Sequence, residues 1–95
     1  MRSWIYITTN KPYGVLYIGM TAHLKDRIGN HKSKKYKNSF SARYNLDKLV
    51  YFEEFDDIRK AYAREAQLKA GSRAKKIKLI ESMNPEWKDL YETLE

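Results

Sequence analysis

The 95-residue chain contains no cysteine, which excludes disulfides and thiolate metal sites alike. Its two histidines, His23 and His31, cannot build a zinc cage without carboxylate help, which argues against a structural zinc domain. No apolar run approaches the length that crosses a bilayer, and the N-terminus lacks the charged head, apolar block and small-residue cleavage site of a secretion signal. A cytoplasmic location without membrane association is therefore expected. Internal repeats and long linkers are also missing, and the length suffices for one modest core, so residues 1–95 read as a single domain.

Negative charge is the scarcer sign. Twelve Asp and Glu stand against 19 Lys and Arg, a net +7 that favours polyanions, nucleic acid foremost. Basicity for solubility alone is the plainer explanation.

Residues 4–9, WIYITT, and 15–20, VLYIGM, are β-branched and aromatic segments around NKPYG, whose Asn, Pro and Gly mark a turn; together they predict a β-hairpin. Both segments are apolar at nearly every position, the pattern of strands covered on both faces, so helices are expected above and below the sheet. Thr21 is expected to cap a helix through AHLKDRIGNHK, in which Gly29 is an unfavourable interior residue. A polar, lysine-rich stretch over 32–48 leads into KLVYFEEF, a third strand at 48–55. Asp56 or Asp57 then caps a helix over 58–70, and AGS at 70–72 breaks it. Ser72 caps a further helix through RAKKIKLIESM, which ends at Asn84 because the residue before a proline avoids helical dihedrals. Trp87, Leu90, Tyr91 and Leu94 have helical spacing and predict a short last helix docked on the body.

Charged residues stand where apolar ones belong. With successive helical residues turning by about 100°, Ala61, Tyr62, Glu65 and Lys69 fall within roughly 60° of the line through Ile58. Glu65 thus lies on the expected core stripe, and a carboxylate there needs a cation or hydrogen-bond donors facing it. In the preceding helix Leu24 and Ile28 define the apolar line, and Arg27 and His31, spaced i and i+4, project from its edge. Tyr6 and Tyr17 sit either side of the hairpin turn, where antiparallel pairing brings them onto one face. Each residue has a plain reading: half-buried sheet tyrosines, a satisfied histidine, a structural Arg27–Glu65 ion pair. Jointly, two phenols, an arginine, an imidazole and one carboxylate in a basic chain point to phosphodiester hydrolysis.

The stretches WIY at 4–6, LYIGMT at 16–21, LKDR at 24–27, His31 and AREAQLK around Glu65 resemble the GIY-YIG nuclease superfamily over most of the chain. FSARYNLDKLVYFEEF and RAKKIKLIESMNPEW resemble its small stand-alone bacterial members, related to the N-terminal nuclease domain of the excision-repair excinuclease. The resemblance implies an α/β chain of the α+β type, with a small three-stranded antiparallel sheet flanked by helices. It implies a divalent metal, Mg2+ or Mn2+, held by Glu65, a tyrosine of the Tyr6/Tyr17 pair activating water, and Arg27 steadying the phosphate. His31 and Gly19 match motif positions, Asn84 matches a supporting asparagine more weakly, and DNA, as in DNA repair, is implied ahead of RNA. Two departures stand out: Trp4 occupies the place of the first motif glycine, and KAGSRAKK lacks the tryptophan near position 71 of close relatives.

The mechanism so implied is in-line attack by water whose proton goes to a tyrosinate or its hydrogen-bonded neighbour, with a rate that rises with pH. Two basic clusters are candidates for the nucleic-acid backbone: Lys32, Lys34, Lys35, Lys37 and Arg43 in one, and Lys69, Arg73, Lys75 and Lys76 in the other. Tyr36, Phe40 and Tyr44 lie among the first as stacking or packing aromatics. The competing readings are an inactive nucleic-acid-binding module with the same fold, and a protein-interaction or self-associating module using the tail EWKDLYETLE.

Overall fold

The computed structural model describes residues 2–33 and 43–94, so Lys34, Lys35, Tyr36, Lys37 and Phe40 lie outside the described residues. Three strands, β1 (Ser3–Thr9), β2 (Leu16–Thr21) and β3 (Lys48–Phe55), form an antiparallel sheet in the order β2-β1-β3. Among the described residues three α-helices follow the hairpin: α1 (Leu24–Ser33) between β2 and β3, then α2 (Ile58–Ala70) and α3 (Arg73–Met83). The expected antiparallel α+β arrangement is the observed one.

The hairpin forms as its turn residues dictate. Gly14 N donates to Lys11 O at 2.9 Å, Asn10 Oδ1 accepts from Val15 N at 2.9 Å, and Tyr13 takes the left-handed conformation at φ 60°. Its tip is clamped to α3: Arg73 donates to the carbonyls of Tyr13 and Gly14 at 2.6 and 2.7 Å, and the Tyr13 and Trp87 rings lie 4.8 Å apart.

The strands bury both faces, as their apolar pattern requires. Ile5, Ile7, Ile18 and Val50 pack against Ala61 and Leu68 of α2, Ile80 of α3 and Trp87. Tyr6 and Leu49 pack on the opposite face with Leu24 and Ile28 of α1, where Leu90, Tyr91 and Leu94 of the tail join them. A bulge between Ile7 and Thr8 of β1 shifts the register with β3, so that Ile7 pairs with Tyr51 and Thr8 with Leu49. The extra residue keeps Val50 and Tyr51 in one core and sends Leu49 to the other.

Helix boundaries follow their caps with one correction. Asp57 accepts from Arg59 N and Ser72 from Lys75 N at the starts of α2 and α3. Thr21, by contrast, is still the last residue of β2; its hydroxyl accepts from His23 N at 3.0 Å, and α1 begins at Leu24. The extended conformation that pairs Thr21 with Trp4 delays the helix by a short turn.

The tail also departs from its helical spacing. Only Tyr91–Thr93 forms a short 3-10 turn, and Trp87, at φ 57°, enters one core whereas Leu90, Tyr91 and Leu94 enter the other. The left-handed turn at Trp87 lets one segment reach both faces, which a continuous helix cannot do. Leu90 N donates to Leu49 O at 2.7 Å, so the tail also covers part of the free edge of β3. Among the described residues no helix is long and apolar enough to cross a membrane.

Candidate active site

Register arithmetic positions the first two aromatic groups. Tyr6 pairs with Gly19 across the hairpin and Tyr17 with Thr8, so the two tyrosines are diagonal neighbours on one face, with ring centroids 6.3 Å apart. Gly19 is required by this packing: a Cβ there would lie 2.4 Å from the Tyr6 hydroxyl and 2.5 Å from its ring carbon Cζ. The glycine makes room for the Tyr6 ring across the strand.

The first helix brings the nitrogen groups over the same face. Burial of Leu24 and Ile28 sets its rotation, which carries Arg27 and His31 to the tyrosines. Arg27 Nε donates to Tyr6 Oη at 3.3 Å, and Tyr6 Oη is hydrogen-bonded to His31 Nε2 at 3.1 Å. The His31 ring also lies 5.7 Å, centroid to centroid, from both tyrosine rings. Tyr6 is fully buried and His31 is 7% exposed, so this network sits at the root of the site with little solvent.

Burial sets the protonation states. Desolvation pushes the Tyr6 phenol above its ordinary pKa, with Arg27 opposing the shift and the charges of Tyr17 and Glu65 adding to it. His31 is pushed down to about 4, first by burial and then by the Arg27 charge. Its Nδ1 has no hydrogen-bond partner among the described residues, so an imidazolium would leave a charged N–H unsatisfied. Arg27 is held more firmly charged by its hydrogen bond to Tyr6 and its interaction with Tyr17.

Glu65 arrives from the opposite side of the sheet on α2. The core-facing line of that helix is Ala61 and Leu68, with Ile58 and Tyr62 exposed, so the stripe lies to one side of the one drawn through Ile58. Glu65 falls between Ala61 and Leu68 on this line, and its side chain keeps only 19% exposure. Its charge is felt at Tyr6, which ties it electrostatically to the α1 face of the sheet. It pairs with Lys69 at 3.5 Å, and among the described residues no ion pair joins it to Arg27. The structural Arg27–Glu65 pair considered from the sequence does not form.

Among the described residues no group of three or more His, Asp or Glu side chains converges. Glu65, half-buried on α2, is the carboxylate that could serve as a donor, and a single protein oxygen suits a hard cation that keeps most of its water. Mg2+ or Mn2+ fits such a site, whereas zinc would need further protein ligands.

The second basic cluster divides. Lys69 and Lys76 line a cavity of about 350 Å3 with Leu16, Tyr17 and Ile18, beside the outer strand β2. Lys75 and Lys76 line a neighbouring cavity of about 240 Å3 with Arg64 and Gln67. Arg73 spends its guanidinium on the hairpin carbonyls described above.

In the first cluster Arg43 is exposed, but Lys32 is a staple within the fold. It donates to Asp47 O at 2.8 Å and to Asp89, and lies 5.1 Å over the Tyr91 ring. Asn84 is likewise absorbed by the fold: it donates to Val50 O and Lys88 O at 3.2 and 2.7 Å and accepts from Lys88 N at 2.9 Å. The Tyr6–Gly19 opposition and the Tyr6–His31 hydrogen bond went unnoticed in the sequence. Centring the hairpin turn between Pro12 and Tyr13 would have found the first.

Residues 2–78 match the family profile described as the GIY-YIG catalytic domain. A UPF0213 protein of Syntrophus aciditrophicus is 39% identical over 71 residues, 75% of this chain and 80% of that protein. Another, from Clostridium perfringens, is 37% identical over 84 residues, 84% of each chain. The solution NMR structure of a UPF0213 protein from Bacillus halodurans is similar in fold with a TM-score of 0.58 at 27% identity, covering 94% of this chain and 93% of that one.

Proposed function

The chain belongs to the GIY-YIG family, and from that premise we propose that it is a divalent-metal-dependent endonuclease hydrolysing phosphodiester bonds of nucleic acid, DNA ahead of RNA. The observation that carries this reading is the convergence on Tyr6 Oη of Arg27 at 3.3 Å and His31 at 3.1 Å, with Tyr17 alongside and the charge of Glu65 within electrostatic reach.

In this mechanism the phenolate form of Tyr6 takes the proton of the attacking water. Burial makes that form scarce, but the Tyr6 oxygen is built to receive donors. Arg27 donates through Nε, and neutral His31 donates through Nε2–H, the tautomer that leaves its unpartnered Nδ1 without a buried orphan proton. With a pKa near 4, His31 is too weak a base at neutral pH to be the final proton acceptor, so its role is to position and stabilise Tyr6. Arg27, partly exposed and permanently charged, also faces a phosphoryl oxygen. Glu65 is the residue that would hold the cation, which would supply charge neutralisation for the phosphoryl group and its leaving oxygen. Lys69 and Lys76, beside Tyr17, carry the adjoining backbone phosphates.

The test is cleavage of supercoiled plasmid, single-stranded DNA and a branched duplex by purified protein with Mg2+ or Mn2+, beside Glu65→Ala and an EDTA control. Cutting by the native chain alone is expected. Salt-sensitive binding without cutting by either protein would replace this reading with the inactive binding module.

A further inference from the structure

Next to the Tyr6–Arg27 cluster, on the same face of the sheet, an open groove of about 600 Å3 remains without a role in the chemistry above. Trp4, Phe52, His23, Leu24, Arg2 and Leu94 line it. Its position follows from the strand: Trp4 precedes Tyr6 by two residues, so it points to the same side roughly 7 Å away along β1. The helix repeats the relationship, because Arg27 N donates to His23 O, which places His23 one turn before Arg27. The groove thus adjoins the proposed phosphate site at about the spacing of the next residue along a polymer.

Its apolar floor suits a flat group, whereas its margin is charged, with Arg2, Lys25, Asp26 and Glu54. Trp4 and Phe52 are half-buried with their rings packed on the Tyr6–Leu24 core, which fixes them as a platform. The planar guanidinium of Arg2 already lies over the indole at 5.4 Å, which shows that this ring face accepts a delocalised plane. The cation itself is neutralised by Glu54, with Nε to Oε2 at 2.5 Å, so Arg2 does not make the groove a phosphate site. Asp26 and Glu54 at its margin offer acceptors to a base N–H.

Resting on the nuclease reading, we propose that this groove receives an unstacked nucleobase of the substrate strand, the neighbour of the phosphate held at Arg27 and Tyr6. A base can reach the Trp4 platform only where it has left its helical stack, so the chain selects single-stranded or locally unpaired nucleic acid over intact duplex. Trp4 is the stacking residue, and the inserted base takes the place on the indole face that the Arg2 guanidinium occupies.

Tryptophan fluorescence tests this directly, because the only other tryptophan, Trp87, is 5% exposed and packed in the opposite core. The probes are an oligothymidylate of about ten nucleotides, an abasic deoxyribose-phosphate oligomer of equal length and a blunt duplex, all in EDTA so that nothing is cut. The expected result is quenching by the oligothymidylate alone, absent in Trp4→Leu, with the oligothymidylate Kd raised about five- to a hundredfold in that variant. Binding of the abasic oligomer, followed by anisotropy, should be unchanged by the substitution. Trp4→Phe, which keeps a ring, should retain most of the affinity and guards against a folding defect in Trp4→Leu. Equal quenching by the base-bearing and abasic oligomers, or an unchanged Kd in Trp4→Leu, overturns the base subsite even when plasmid or single-stranded DNA is cut. Failure to bind any of the three probes, together with failure to cut, overturns the nuclease reading and the subsite with it.

Discussion

Gly19 and Tyr6 face each other across the hairpin so closely that any side chain at 19 would occupy the place of the Tyr6 hydroxyl. The pair links backbone register to chemistry, since that hydroxyl is where Arg27 and His31 meet. Gly19→Ala is expected to push the phenol off both partners and to lower single-turnover cleavage by about 10²-fold, the scale of a 1 Å misplacement. Far-UV circular dichroism should remain that of the native sheet and helices; cleavage at the native rate would refute the role of the close approach.

Tyr6→Phe removes the oxygen and keeps the ring. The expected loss is about 10²- to 10⁴-fold in the cleavage step, as for removal of a positioned general base. Because the native phenol is shifted upward, the native rate should rise with pH through neutrality. The residual rate of Tyr6→Phe should lose that dependence. A native profile flat from neutral to alkaline pH, measured under single-turnover conditions, would count against phenolate chemistry.

His31 makes stability depend on pH. Its folded-state pKa of about 4 lies below the ordinary value of 6.5, so the unfolded chain binds the proton more readily between those values. Stability is therefore full above about pH 6.5 and declines as the pH falls toward 4, by on the order of 2 kcal/mol. Urea unfolding at stepped pH should show this decline in the native protein and a smaller one in His31→Asn. Equal slopes in the two would place the acid sensitivity elsewhere.

Asn84, a candidate supporting residue from sequence, is buried where α3 ends and the tail begins. Asn84→Ala strands the carbonyls of Val50 and Lys88 and the amide of Lys88, and should cost about 1–3 kcal/mol in urea unfolding. Cleavage per folded molecule should stay within about threefold of native, since a change of about 1.4 kcal/mol or more at the transition state would be needed for tenfold. A much larger loss in kcat with native stability would move Asn84 back to the chemistry.

Lys69 and Lys32 offer a contrast between two lysines of similar expectation. Lys69, beside Tyr17, should carry a phosphate, so Lys69→Ala is expected to reduce the slope of log Kd against log salt by about one. Lys32→Ala should leave that slope nearly unchanged and lower the unfolding midpoint instead, because Lys32 ties α1 to Asp47 and Asp89. Matching effects on salt dependence would overturn the distinction.

The three strands, the hairpin, the covered faces, the Ser72 cap and a cap at Asp56 or Asp57 were legible in the order of residues alone, because each depends on short-range patterning and turn chemistry. So were Tyr6, Tyr17, Arg27, His31 and Glu65 as candidates, since polar groups on otherwise apolar faces are conspicuous in the chain itself. Packing between distant segments set the rest. The rotation of α2 about the Ala61–Leu68 line, the bulge that sends Leu49 and Val50 to opposite cores, and the left-handed turn at Trp87 that splits the tail between them are all of this kind. The same holds for the fates of the basic residues, because composition counts a lysine's charge, whereas its partners, Asp89 for Lys32 and the hairpin carbonyls for Arg73, are 57 residues or more away in the chain.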